Sequence, residues 1–247
     1  MLRDFTKEPF DIVIQAGQSN SEGAGYGAVE RPFEPRGEIL HMNWDRTITV
    51  AGERVVGNMI WADYSLSFCT SYINDGRLSE GRKLLVVRSA VGGTGFLDKR
   101  WGPTDDLYLQ MMDMIQTALS LNPANQLVAL LWHQGETDAM MEAGFEGHKN
   151  NLRGLLKAVR DTFDCPKLPF VAGDFVQDWK VGNLAICEPV VDAMRAVCAE
   201  ESARFVGSDG LLSNNQVQGN DDSIHFSRAA LYELGERYYA AYCDIVK

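Results

Sequence analysis

Short apolar runs that alternate with amphipathic stretches constrain this chain more than any other feature. The runs fall at residues 10–14, 38–42, 83–88, 126–132, 169–173 and 203–206, each of strand length and each set apart from the next by a segment of helical character. Within 105–121, Leu107, Met111, Met114, Ile115 and Ala118 share one face of a helix, while Asp106, Gln110, Asp113 and Gln116 take the other. The last segment repeats the pattern with Leu231, Leu234, Tyr238, Ala241, Tyr242 and Ile245, and Ser227 stands where a cap is expected. Strand then helix, repeated, is the pattern of βα units on a parallel sheet. Ligands of such sheets bind beyond the carboxyl ends of the strands. The chemistry is therefore to be sought just after each apolar run.

Length and charge narrow the field. At about 150 residues per domain, 247 residues admit one domain or two. No repeat, low-complexity run or Pro/Gly/Ser linker divides them, so one domain over 1–247 is expected. Lys and Arg number 23 against 34 Asp and Glu, a net charge of −11. That field repels phosphate backbones and anionic lipid, and no basic cluster offsets it, so neither nucleic acid nor a membrane is an expected partner. Arg3, Asp4, Lys7 and Glu8 stand where a signal peptide needs its apolar core, and no apolar run approaches the ~20 residues of a spanning helix. A soluble, cytoplasmic protein is expected. Cys69, Cys165, Cys187, Cys198 and Cys243 are an odd, scattered set without a CxxC pair and read as reduced, mostly buried thiols. Oligomeric state is not legible.

Three clusters of polar residues follow the runs, and one more stands just before the last helical segment. After the first comes Gly17-Gln18-Ser19-Asn20: a hydroxyl in a Gly-flanked strand-to-helix turn can be lifted clear of the sheet as a nucleophile, although G-x-S-x-G is absent and Ser also caps helices. After the third, Gly92-Gly93-Thr94-Gly95 lets backbone N–H groups approach a reacting oxygen. It lacks the Lys-Ser/Thr of a nucleotide loop. The fourth ends in His133-Gln134-Gly135-Glu136. No HExxH or facial pattern accompanies these residues, so no metal is expected. Gln134 can donate an N–H to an oxyanion, Glu136 can orient a base, and His133 reads as structural. Asp222-Ser223-Ile224-His225 places a carboxylate three residues before a candidate general base, within reach of its Nδ1. Of the four histidines, His41 and His148 sit in strand and helix patterns and are poorer bases.

Together, GQSN, GGTG, HQGE and DSIH, in that order, resemble the SGNH hydrolases, and within them the branch of carbohydrate esterase family six and the sialate O-acetylesterase domain. The resemblance implies a three-layer α/β/α sandwich of flavodoxin-like topology with about five parallel strands and cofactor-free hydrolysis of O-acetyl groups on sugars. Carried over, Ser19 is the nucleophile and His225 the base. The oxyanion hole is the N–H groups of Ser19 and Gly92, or of neighbouring Gly93, with Gln134 in the place of the superfamily's usual Asn. The orienting acid is Asp222 or Glu136; Asp222 is favoured for its proximity, with Glu136 in support. Trp101, which also looks family-like, is a candidate substrate contact, and Arg88 and Arg100 are candidate contacts for an acidic sugar. The acidity of the chain favours a neutral acetylated sugar unless the cleft is locally basic. Residues 47–57 are expected to form a hairpin or extended loop at the cleft edge. Two rivals stand beside this reading: a lipase or thioesterase on the same scaffold, and a catalytically idle carbohydrate-binding module.

Overall fold

A computed structural model describes residues 4–247. The chain runs β1 (Phe10–Gly17), α1 (Ser19–Glu22), β2 (Ile39–Met42), β3 (Ile48–Val50), β4 (Arg54–Val56), β5 (Met59–Trp61), α2 (Ser65–Asn74), β6 (Lys83–Arg88) and α3 (Asp106–Ser120). It continues through β7 (Gln126–His133), α4 (Glu136–Met140), α5 (Phe145–Thr162), β8 (Phe170–Gly173), α6 (Gln177–Val181), α7 (Leu184–Glu200), β9 (Arg204–Val206), α8 (Asn214–Gln218) and α9 (Arg228–Ile245).

All six apolar runs are strands, and all six lie parallel in one sheet. With β3 it has the order β3-β2-β6-β1-β7-β8-β9. One parallel strand more is present than the resemblance implies, and β3 adds an antiparallel edge on β2. Strand alternation builds two cores. Ile12, Ile14, Leu85, Val87, Leu130 and Trp132 face the layer of α3, α5 and α7. Val13, Leu84, Val86, Ala129 and Leu131 face α2 and α9. Helices cover both faces, which is why these strands are apolar almost throughout. Ser227 caps α9 as expected, accepting from Ala230 N–H.

Residues 47–57 do not form one hairpin. Residues 48–50 return along β2, whereas β4 pairs with β5 in a separate two-stranded sheet. The break comes at Ala51, whose side chain is buried and whose N–H donates to Ile39 O. The five cysteines are unpaired, and burial pushes the thiols of Cys187 and Cys198 up to about 12. Among the described residues, no helix is long and apolar enough to cross a membrane.

The order of strands reverses at β1, which has β6 on one side and β7 on the other. Doubly wound sheets open their ligand crevice at such a point.

Candidate active site

β1 ends at Gly17, whose φ is 130° and where an added Cβ would stand 2.1 Å from the His133 carbonyl oxygen. Only glycine lets the ends of β1 and β7 come this close. Gln18 N–H donates to that same carbonyl at 3.0 Å, and the chain turns at once into α1. Ser19 is thus the first helical residue, not a cap; the cap position belongs to Gln18. The turn is held from below, where Gln15 Nε2 donates to Ser21 O (2.5 Å) and Ser21 Oγ donates to Ala16 O (3.0 Å).

Ser19 Oγ lies 2.9 Å from His225 Nε2, and His225 Nδ1 lies 2.7 Å from Asp222 Oδ1. A carboxylate facing Nδ1 accepts a hydrogen bond from Nδ1–H, which keeps the ring proton there and leaves Nε2 free to accept from the hydroxyl. The side chains of His225 and Asp222 keep 27% and 24% of their surface exposed, enough for a substrate to reach them. The second oxygen of Asp222 accepts from Asn214 Nδ2 at 2.8 Å. Backbone N–H groups of α8 hold the same loop: Asn214 donates to His225 O and Asn215 to Asp222 O, both at 2.9 Å.

Asn20 joins the two halves. Its Nδ2 donates to Ile224 O (3.1 Å) and its Oδ1 accepts from Phe226 N–H (3.0 Å), so it grips the backbone on both sides of His225. The same Nδ2 donates to Glu136 Oε1 at 2.8 Å. Asn20 stood in the GQSN motif without an assigned role. Asn214 carried no sequence signal, because its contact with Asp222 exists only once α8 has formed.

The residues after β7 are buried. Gly135 has a φ of 140°, and a Cβ there would meet Phe175 and Val190 at 2.8 Å. His133 is structural: it is fully buried, burial holds its pKa down to about 3, and its Nδ1 lies 3.0 Å from Tyr238 OH. Gln134 departs from its expected role as an oxyanion donor. Its Nε2 donates to Asp138 Oδ2 (2.8 Å) and Thr94 O (3.2 Å), which uses both protons of the amide. It ties the 92–95 loop to α4 instead.

The glycine loop does approach Ser19. A Cβ on Gly92 would stand 3.5 Å from Ser19 Cβ, yet the Gly92 N–H donates to Glu22 Oε2 at 2.9 Å. As folded, that group is not open to a reacting oxygen. Gly93 has a φ of 69° and open space where a Cβ would lie. Glu22 is also paired with Arg54 (3.1 Å), and both line a cleft of about 340 Å³ shared with Trp44, Asp45 and Arg88. Ser19 is not part of that lining; Glu22, three residues on at the end of α1, is.

Arg88 reaches the cleft, donating to Glu22 O at 2.9 Å and standing 3.5 Å from Asp63. Arg100 is not part of the cleft's lining, and Trp101 has no surface left for a substrate. Arg100 makes a two-pronged ion pair with Asp106 at the start of α3. Trp101 is fully buried, donates to Thr94 Oγ1 and packs edge-on against Trp132. Among the described residues, no group of three or more His, Cys, Asp or Glu could hold a metal.

Three comparisons bear on this geometry. A protein of Arabidopsis thaliana described as a probable carbohydrate esterase is 27% identical over 235 residues, covering 85% of this chain and 86% of its own. A protein of Escherichia coli described as a probable 9-O-acetyl-N-acetylneuraminic acid deacetylase is 27% identical over 89 residues, 33% of this chain and 27% of its own. The crystal structure of NanS superposes with a TM-score of 0.81 over 98% of both chains at 18% identity, which is a likeness of fold. The family described as carbohydrate esterase, sialic acid-specific acetylesterase, matches residues 9–244. With its parallel sheet and the hydroxyl, imidazole and carboxylate at the carboxyl edge, the chain belongs to that carbohydrate acetylesterase family.

Proposed function

We propose that the protein removes O-acetyl groups from a sugar through an acetyl-serine intermediate, with residues 1–247 acting as one catalytic unit. The observation that carries this reading is the continuous chain from Ser19 Oγ through the His225 ring to Asp222, with steps of 2.9 and 2.7 Å. His225 Nε2 accepts the Ser19 proton as the oxygen bonds to the acetyl carbon. The ring, now charged and steadied by Asp222, returns that proton to the departing sugar oxygen. Water attacks the acetyl-serine with His225 again as base, releasing acetate and restoring Ser19. Ser19 N–H opens α1 and has no acceptor within the helix, so it is the first donor to the oxyanion. Gly93 N–H is the second, or Gly92 N–H once Glu22 lets it go.

The family match supports an acidic sugar of the sialic acid class. Arg54 and Arg88 are the cations of the cleft; both are ion-paired as folded, Arg54 with Glu22 and Arg88 with Asp63, so an acidic sugar binds there by taking the place of those carboxylates. Ser19→Ala is expected to abolish p-nitrophenyl acetate hydrolysis with the melting temperature unchanged, and acid-quenched wild type should carry an acetyl group on the peptide containing Ser19. Full activity in the variant sinks the assignment. Acetate release from acetylated sialosides, acetylated xylan and simple sugar acetates then ranks the substrates, and preference for the neutral ones overturns the sialic acid reading alone.

A further inference from the structure

Glu136 is fully buried after β7, beside the Ser19–His225–Asp222 chain but not part of it. Its Oε1 accepts from Asn20 Nδ2, and its Oε2 has no hydrogen-bond partner. At 4.0 Å from Oε1 stands His133 Nε2, also buried and unpartnered. The state of His133 follows from its neighbours. Tyr238 OH gives its one proton to Trp132 O at 2.9 Å, so the 3.0 Å contact with His133 is a bond donated by Nδ1. His133 Nε2 is then a bare lone pair. Two buried acceptors share one pocket, and Asn20 is the donor it contains.

An ionised Glu136 would set a negative charge against that lone pair and leave one anionic oxygen unsolvated. A neutral carboxyl removes the charge and brings the missing donor. The other titratable groups acting on it divide, with one favouring the ion and the rest opposing it or uncharged. Asp138 on α4 opposes ionisation, while the Cys187 thiol on α7 and the Tyr238 phenol on α9 are uncharged. Of the groups facing it, His225 favours the ion, and only while that ring is protonated. Burial pushes the Glu136 carboxyl above the ordinary carboxylate range, against the Asn20 hydrogen bond and the residue's own backbone N–H.

We propose that Glu136 is a positioning residue that works as a neutral carboxylic acid: it holds Asn20, and Asn20 holds the backbone on either side of His225 against the nucleophile turn. The proposal rests on the reading of Ser19 and His225 given above, and it assigns no charge or proton transfer to Glu136 during turnover.

The test uses Glu136→Gln, Glu136→Leu, Asn20→Ala and the double variant Asn20→Ala/Glu136→Leu. Each is assayed on p-nitrophenyl acetate across pH, per active site titrated with an acylating reagent. Glutamine keeps an acceptor for Asn20 and supplies a donor toward His133, so Glu136→Gln should retain kcat within about threefold and an unchanged pH profile. Glu136→Leu should lose about ten- to a hundredfold in kcat with KM little altered, Asn20→Ala a similar amount, and the double variant no more than the worse single one. A collapse in Glu136→Gln comparable with that of Asp222→Asn, or additive losses in the double variant, overturns the proposal. Should Glu136→Leu fail to fold, the infrared difference between wild type and Glu136→Gln at neutral pH still decides. A protonated carboxyl C=O stretch supports the proposal, and a carboxylate band in its place overturns it. Wild type inert on every acetyl ester would overturn the esterase reading, while the infrared result would still decide the state of Glu136.

Discussion

Asp222 shows how much one residue owes to partners that lie far away in sequence. Its Oδ1 serves His225, three residues on, but its Oδ2 is held by Asn214, whose Oδ1 accepts from Tyr26 N–H at 3.2 Å. The first contact spans a single turn and was legible in the DSIH spacing. The second depends on where α8 docks and was not. Asp222→Asn keeps the shape but favours the wrong imidazole tautomer, so kcat should fall by roughly a thousand- to ten-thousandfold. Asn214→Ala leaves the carboxylate charge in place and removes its tether. A fall of about tenfold in kcat with about 1 kcal/mol lost in urea unfolding is expected. Equal losses in the two variants would show that charge is not what Asp222 contributes. Gln134 and Trp101 mark the opposite limit. Their residue types suited an oxyanion donor and a substrate contact, but Thr94 and Asp138 claim the Gln134 amide, and Thr94 claims the Trp101 indole N–H.

At the scale of elements, α8 does the work of a bracket although it has five residues. A capping box starts it: Ser213 Oγ accepts from Gln216 N–H and Gln216 Oε1 accepts from Ser213 N–H, both at 2.9 Å. Ser213 Oγ also donates to Asp178 Oδ2 on α6 at 2.6 Å, so one hydroxyl fixes the helix that presents its N–H groups to residues 222–225. Ser213→Ala should cost about 1 kcal/mol, seen as a melting temperature lower by about 2–4 °C. It should also lower kcat more than KM, because the His225 loop loosens while the cleft does not change. An unaltered kcat would show that the loop holds itself. Five of the six parallel strands were legible because each is an apolar run buried almost throughout, while β9, at the sheet edge and partly exposed, was legible from the run at 203–206 alone. β3, β4 and β5 have three residues each and are mostly exposed. They carry no period long enough to read, which is why residues 47–57 looked like a hairpin or an extended loop and are divided between two sheets.

For the whole molecule, buried histidines tie stability to pH. Burial holds both His41 and His133 down to about 3, whereas in the unfolded chain an imidazole protonates near about 6.5. The unfolded state therefore binds more protons between those values. The stability these residues contribute is complete above about 6.5 and is lost as pH falls toward 3, at up to ~1.4 kcal/mol per pH unit for each ring. Glu136, whose pKa is raised, acts in the opposite sense: its contribution is present at low pH and is lost as pH rises through its folded value. Urea midpoints should thus fall steeply below pH 6, and His41→Gln should flatten that slope if the variant folds. A flat profile from pH 7 to 4 would show that these rings are solvated. By itself, the sequence determined the six strands, the helices between them, the hydroxyl after β1 and the carboxylate three residues before His225. These rest on local period and short spacing, which any fold of the chain must respect. Only the tertiary structure decided the strand order, the closeness of β1 to β7 that Gly17 permits, and which polar groups are already spent. Hydrogen-bond partners are settled by competition among groups that are neighbours only after folding. That is why Gly92 N–H meets Glu22, Gln134 binds Asp138 and Thr94, and Asn20, without a role in the sequence pattern, links Glu136 to His225.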